Sequence, residues 1–159
     1  MATAYIETTI PSYYVARPSL NLIQVTRQAT TRQWWDEGCS GFQLFTSQEV
    51  LDEVGRGEPA MAADRLNLIR DVALLDVTTE AGELSRRLLA SQIIPAKAAS
   101  DAVHIAVASV QAMDFLVTWN FKHIANPFIR ARLRHAVADF GAQLPVICTP
   151  EELLKDENN

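Results

Sequence analysis

A chain of 159 residues, 48% of them hydrophobic and 21% charged, is long enough to bury one sizeable core. Its net charge of −5 argues against non-specific coating of nucleic acid, although it is compatible with a local basic site. The two cysteines, Cys39 and Cys148, belong to no CxxC or Cys/His pattern, so the sequence predicts neither a disulfide framework nor a zinc site.

The chain contains no apolar run that approaches the roughly 18 residues of a membrane span. Its start, Met1–Tyr5, lacks the basic and apolar regions of a signal peptide. We therefore expect a soluble, cytoplasmic protein with no membrane contact. We also expect a single domain over residues 1–155 and a frayed acidic tail over 156–159.

Short apolar runs alternate with longer helical segments along the chain. The predicted strands are Tyr5–Ile6, Phe42–Phe45, Val72–Leu75 with Val77, Phe115–Val117 and Val146–Cys148. The predicted helices are Pro18–Glu37, Thr46–Val54, Pro59–Asp71, Thr79–Ser91, Pro95–Met113, Pro127–Phe140 and Pro150–Lys155. This alternation is typical of an α/β domain with a mostly parallel sheet of about five strands.

One acid, Asp101, lies in a segment that is otherwise apolar nearly all round, from Ser100 to Ala108. A helix of this kind packs on two sides. A carboxylate inside it is costly unless it is paired, hydrogen-bonded or bound to a metal. Asp101 could also cap the helix or pair with Lys97 one turn earlier.

Further polar residues follow the predicted strands. Glu7 comes directly after the first strand, Glu53 lies on the helix after the second, and Asn120 follows the fourth. In open parallel sheets, ligands bind outside the carboxyl ends of the strands. Carboxylates gathered there repel one another unless a cation holds them, and all-oxygen ligands favour Mg²⁺ or Mn²⁺. Such an ion can offset the charge of a phosphodiester under attack, which indicates a nuclease.

Two helix starts have the threonine-to-glutamate spacing of a capping box, one from Thr46 to Glu49 and one from Thr149 to Glu152. We therefore assign Glu49 to helix capping. Glu53 has no such local role, so it is the better candidate ligand.

At these positions the sequence resembles the PIN domain, and specifically the ribonuclease toxins of VapC-type toxin–antitoxin pairs. The resemblance runs from the first strand to the turn at Thr149–Glu152. The matching pieces are Tyr5–Thr9, Ser47–Glu53, Asp101–Ala106 and Thr118–Ile124, of which the last two are the specific ones.

The resemblance implies a three-layer α/β/α fold and a Mg²⁺ or Mn²⁺ site that cleaves RNA. It makes Glu7, Glu53 and Asp101 the catalytic metal ligands and adds Asn120 to the catalytic set. Glu7 stands where the family has aspartate, and Asn120 where many members have a further aspartate. The side chains expected to orient these residues are Thr8, Ser47 and His104.

A basic segment follows Asn120 in this acidic chain. Its residues Lys122, His123, Arg130 and Arg134 are candidates for contacts with RNA phosphates. A solvated helix face explains such a charge run as well. We expect the tryptophans, Trp34, Trp35 and Trp119, to be core or interface residues and not platforms for bases.

The alternative to an enzyme is a PIN-fold protein with weak or no catalysis that binds RNA or a partner. The resemblance also implies a cognate antitoxin. Apolar residues on the early helices, Leu20, Leu22, Ile23 and Trp34, could form an antitoxin groove or a homodimer interface, and core packing explains them equally well.

Overall fold

The computed structural model describes residues 1–154, in which strands and helices alternate along the chain. The strands are β1 (Ala2–Ile6), β2 (Phe42–Ser47), β3 (Ala73–Leu75), β4 (Phe115–Val117) and β5 (Val146–Cys148). The α-helices are α1 (Thr9–Val15), α2 (Leu22–Gln33), α3 (Gln48–Val54), α4 (Pro59–Leu68), α5 (Thr79–Ala90), α6 (Ala99–Val110), α7 (Pro127–Phe140) and α8 (Pro150–Leu153). Residue 155 and the tail predicted over 156–159 lie outside the described residues.

The strands form one parallel sheet in the order β3-β2-β1-β4-β5. Tyr5 of β1 lies opposite Phe45 of β2 on one side and Leu116 of β4 on the other. The strand order changes direction between β1 and β4, and open α/β sheets form their ligand crevice at such a switch point.

Helices cover both faces of the sheet. Successive side chains of a strand point to opposite faces, and β1 follows this rule. Tyr5 packs into one core with residues of α3, α5, α6 and α7, including Leu84 and Ile105. Ala4 and Ile6 pack into the other core, together with Trp34. The predicted three-layer α/β/α arrangement with a parallel sheet is therefore confirmed.

The helix predicted over Pro18–Glu37 is shorter than expected. It begins at Leu22, because the side chain of Asn21 accepts a hydrogen bond from the Gln24 N–H at 3.2 Å and caps the first turn. It ends at Gln33 and continues as a π-helical turn over Trp34–Gly38.

The helix predicted over Pro95–Met113 is also divided. A 3₁₀ turn over Ala96–Ala98 precedes α6, which ends at Val110. Ala112 then has a positive φ of 55°, a conformation that cannot continue a right-handed helix. Asp101 consequently lies in the first turn of α6, nearer the helix start than the sequence suggested.

The capping box predicted between Thr46 and Glu49 is wrong. Ser47, and not Thr46, is the N-cap residue of α3, and no side chain caps this helix. Glu49 instead accepts a hydrogen bond from the Ser100 hydroxyl of α6. Of the two alternatives given for Trp34, core packing is the correct one and the exposed groove is not, because its side chain is completely buried. The second capping box, between Thr149 and Glu152, is present.

Within residues 1–154, none of the helices is both long enough and apolar enough to cross a lipid bilayer.

Candidate active site

Residues from several elements lie at the switch point between β1 and β4, the position at which open α/β sheets form a ligand crevice. Glu7 follows β1 and Thr118 follows β4, while Glu53 comes from α3 and Asp101 from the first turn of α6. Direct hydrogen bonds join these elements, as when Thr118 Oγ1 donates to Glu7 Oε2 across the switch point at 2.9 Å. Three acids distant in sequence are thus brought to one end of the sheet.

Glu7 is almost completely buried and is firmly held. Its Oε2 accepts hydrogen bonds from the Thr9 N–H at 2.9 Å, from Thr9 Oγ1 at 2.5 Å and from Thr118 Oγ1 at 2.9 Å. Each threonine hydroxyl also accepts a backbone N–H, that of Trp119 for Thr9 and that of Asn120 for Thr118. The loop after β4 and the turn after β1 are therefore fastened to the same carboxylate oxygen.

The ionisation of Glu7 reflects opposing effects. Burial raises its pKa, because the charged form loses its hydration. The positive charge of His104 and the hydrogen bonds from Thr9 and Thr118 act in the opposite direction, and the pKa remains raised overall.

His104 is the buried centre of a side-chain network. Its Nε2 bonds to Glu53 Oε1, and its Nδ1 bonds to the Tyr5 hydroxyl at 2.8 Å. That hydroxyl lies 2.7 Å from Ser47 Oγ. Burial lowers the pKa of His104, but the Glu53 hydrogen bond and the charges of Glu7, Glu53 and Asp101 outweigh it, so the pKa is raised. Imidazolium donates from both nitrogens, so Tyr5 then accepts from His104 and donates to Ser47.

Glu53 is the acid that His104 holds in its charged form. Burial raises the pKa of Glu53, but the hydrogen bond and charge of His104 overcome this effect and leave the pKa lowered. Thr8 Oγ1 donates to the same carboxylate oxygen at 2.9 Å. The side chain of Glu53 is 23% exposed, so it reaches the surface of the crevice.

Asp101 is partly buried beside Asn120. Burial raises its pKa and the charge of Glu53 adds to this rise, while the charge of His104, the nearby Asn120 side chain and the charge of His123 partly oppose it. Asp101 does not cap α6 through its side chain, and no ion pair among residues 1–154 joins it to Lys97. Both local alternatives to a role in the crevice are thus absent from the described structure.

The acids do not form a ready-made metal cage. Within residues 1–154, no group of three or more His, Cys, Asp or Glu side chains is spaced to hold an ion. Glu7 Oε1 and Glu53 Oε2 nevertheless make no hydrogen bond in this range and are not among its buried unpaired atoms, so each keeps some solvent contact, although Glu7 as a whole is only 2% exposed. Mg²⁺ is often held by one or two carboxylates together with water and substrate phosphates, and this donor set fits that mode.

The four basic residues proposed from the sequence are spread over two elements. Lys122 and His123 lie in the loop after β4, whereas Arg130 and Arg134 lie on α7. The charge of His123 acts on Asp101, and its N–H donates to Asn120 Oδ1 at 3.0 Å. Of the four, His123 is thus the residue with a direct link to the crevice.

Sequence reasoning considered Thr9 as a possible donor to these carboxylates, but it did not place Tyr5 or Thr118 in the network. The sequence places Tyr5 only in a buried strand, and the strand pattern does not reveal that its hydroxyl bonds to His104 and Ser47. Thr118 directly follows a strand that ends at the crevice, which is the signal that could have identified it.

No family model matches the sequence, and a search of curated proteins finds no significant match. The fold is similar to that of a chain in the crystal structure of VapBC2 from Rickettsia felis bound to a DNA fragment from their promoter. The TM-score is 0.56 and the sequence identity is 15%, with 92% of this chain and 98% of that chain covered. At so low a sequence identity, the structural similarity shows a shared fold and nothing more specific. The resemblance to VapC-type PIN domains is therefore confirmed at the level of the fold.

Proposed function

We propose that this protein is an endoribonuclease that uses Mg²⁺ or Mn²⁺ to hydrolyse RNA phosphodiesters. The observation that carries the proposal is that Glu7, Glu53 and Asp101 lie together at the switch point. The negative charge of each of the three contributes to raising the pKa of His104. The fold shared with a chain of VapBC2 supports the proposal. So does the composition of the crevice, which offers oxygen donors and no thiolate.

Glu7, Glu53 and Asp101 would hold the ion, partly through water and the substrate phosphate because within residues 1–154 they are not spaced as a cage, and Asn120 would keep Asp101 in place. A bound ion would supply positive charge to the phosphate and lower the pKa of water near it. The protein's own contribution is preorganisation. Thr9 and Thr118 fix Oε2 of Glu7 and leave Oε1 for the crevice, while His104 and Thr8 fix Oε1 of Glu53 in the same way.

The test is cleavage of mixed RNAs in Mn²⁺, with and without a chelator, by the wild type and by Asp101→Ala. We expect cleavage that the chelator abolishes and that falls about a hundredfold or more in the variant. Asp64→Ala is the matched control, because Asp64 is an exposed acid of α4 away from the crevice. Cleavage that persists in Asp101→Ala, or that the chelator leaves unchanged, contradicts the proposal.

A second candidate is a PIN-fold protein that binds RNA or a partner without cleaving RNA. One observation favours it: within residues 1–154 the acids are not spaced as a metal cage. Absence of cleavage in the same assay, with RNA binding retained, is the result expected of this candidate.

We further propose a cytoplasmic location and a protein partner, either a cognate antitoxin or a second copy of the chain. The partner surface would be the exposed apolar residues Leu20, Leu22 and Ile23 before and on α2, which are 106%, 79% and 61% exposed. Replacing Leu22 and Ile23 by serine should leave the melting temperature unchanged, because neither side chain is part of the core.

The same double variant should lose binding to a co-expressed antitoxin or, for a homodimer, shift to monomer in light scattering. If it neither loses a partner nor changes mass, while the wild type does assemble, the partner surface lies elsewhere.

A further inference from the structure

Arg27 of α2 lies against an aromatic cluster beside the crevice. Its Cζ is 5.6 Å from the ring centroid of Trp119 and 4.9 Å from that of Phe121, distances at which a guanidinium is attracted to both ring faces. Its Nη1 donates to the Tyr13 hydroxyl at 3.3 Å. The rings of Tyr13 and Phe121 pack edge-on against Trp119, with centroids 6.1 and 6.2 Å away.

The cluster is fixed relative to the candidate active site through Trp119. The backbone N–H of Trp119 donates to Thr9 Oγ1, which itself donates to Glu7. The indole Nε1 donates to Thr31 Oγ1 of α2 at 2.8 Å. Trp119 is thus held from both ends, and Arg27 lies over a ring whose sequence neighbours contact Glu7 and Asp101.

Most of the donor capacity of Arg27 is unused. A guanidinium has five N–H donors, of which one bonds to Tyr13 within the described residues. None of the ion pairs among residues 1–154 includes Arg27, although the whole chain has a net charge of −5. None of its nitrogens is among the buried unpaired atoms of this range, so solvent reaches the free donors.

Phe121 adds an apolar surface to this arginine. Its side chain is 44% exposed, while the neighbouring Trp119 is 6% exposed. An aromatic ring that is partly open to solvent, next to a planar cation with free donors, matches two parts of a nucleotide at once. The ring can stack on a base, and the guanidinium can bind a phosphate with two parallel hydrogen bonds.

We propose that Arg27 and Phe121 form a subsite for single-stranded RNA at the edge of the crevice. Arg27 binds a backbone phosphate, and Phe121 stacks on the adjacent base. The inference deepens the proposed function and rests on it for the class of ligand. RNA is favoured over an acidic peptide because a peptide carboxylate would use the guanidinium and leave the exposed ring without a role.

The test measures binding of a fluorescently labelled single-stranded RNA by anisotropy, with chelator present so that no cleavage occurs. Arg27→Gln and Phe121→Leu should each weaken binding about tenfold, as expected for the loss of a phosphate contact or a stacked base. Arg27→Gln should also reduce the slope of log affinity against log salt concentration by about one, whereas Phe121→Leu should leave this slope unchanged. Arg27→Lys should retain the salt dependence, because the positive charge remains. It should lose part of the affinity, because lysine has no planar guanidinium to stack on the aromatic rings.

Two matched variants control for general effects. Arg32→Gln removes another arginine of α2, one that stacks on Tyr14 with its Cζ 5.9 Å from the ring centroid. Phe128→Leu removes a phenylalanine that is 89% exposed on α7. Both should bind RNA as the wild type does, and circular dichroism should show that all the variants are folded.

The proposal is overturned if Arg27→Gln and Phe121→Leu bind RNA as tightly as the wild type, or if the two controls lose as much affinity. It is also overturned if an acidic peptide displaces the RNA and depends on Arg27 to the same extent. RNA binding that needs both residues, in a protein that cleaves nothing, supports the subsite and contradicts the proposed function. Cleavage of RNA, with binding that depends on neither residue, supports the proposed function and overturns the subsite.

Discussion

Glu7 shows how a long acidic side chain is held at the end of β1. Glutamate is one methylene longer than aspartate, and hydrogen bonds from Thr9 and Thr118 hold the end of this side chain at Oε2. Within the described residues, Oε1 is therefore the carboxylate oxygen of Glu7 that accepts no hydrogen bond. Its placement depends on two threonines that come from different strand ends, and single-sequence reasoning could not pair them because nothing local links them.

The Tyr5 hydroxyl is a second residue-level feature that was not predictable. It joins His104 and Ser47, and all three residues are completely buried. The sequence reveals a tyrosine in a strand, but the partner of its hydroxyl depends on how α6 packs against β1 and β2.

Tyr5→Phe should lower the free energy of unfolding by about 1–3 kcal/mol, because it leaves buried polar atoms of His104 and Ser47 without their partner. Tyr14→Phe is the control, since the Tyr14 hydroxyl bonds to Asp36 at the surface and its loss should cost little. Urea denaturation of both variants measures the difference. Equal stability losses would show that the buried network contributes nothing particular to the fold.

Among the elements, the strands were predictable and the helix ends were not. β1 and β4 are covered on both faces, so they appear in the sequence as short continuous apolar runs. The helix α1 was missed altogether. It is seven residues long with Pro11 inside its first turn, and its buried residues, Ile10 and Pro11, are too few to give a helical period.

Asp114 fastens the starts of β1 and β4 to each other. Its Oδ2 accepts hydrogen bonds from the Thr3 N–H at 2.8 Å and from Thr3 Oγ1 at 3.0 Å. These two bonds lower the pKa of Asp114. A carboxyl group with a lowered folded-state pKa stabilises the protein above its unfolded pKa of about 3.9, and this contribution disappears as the pH falls through the folded value.

Asp114→Ala should therefore lower the melting temperature at neutral pH, and the difference from the wild type should shrink as the pH is lowered below about 3.9. Thermal unfolding of the two proteins over a series of pH values provides the measurement. Asp64→Ala, which removes an exposed acid of α4, should show no such pH-dependent difference. A difference for Asp114→Ala that is constant with pH would mean that its charge is not involved.

For the whole molecule, the sequence was sufficient to predict the fold class and the edge of the sheet at which the acids meet. Alternating strands and helices imply a parallel sheet, and a parallel sheet places Glu7 and Thr118 at the same edge. The side-chain hydrogen-bond partners could not be predicted from the sequence. Glu49 satisfied a local capping pattern, yet it bonds to Ser100 because α3 packs against α6, which is a tertiary contact.

The central claim is that Glu7, Glu53 and Asp101 act together as one metal site, and Mn²⁺ binding tests it most directly. Electron paramagnetic resonance titration of the wild type should reveal one Mn²⁺ site that Mg²⁺ competes for. Asp101→Asn and Glu7→Gln should each weaken binding by about tenfold or more, and Asp64→Asn should leave it unchanged. A wild type that binds no Mn²⁺, or an Asp101→Asn variant that binds it equally well, would contradict the account.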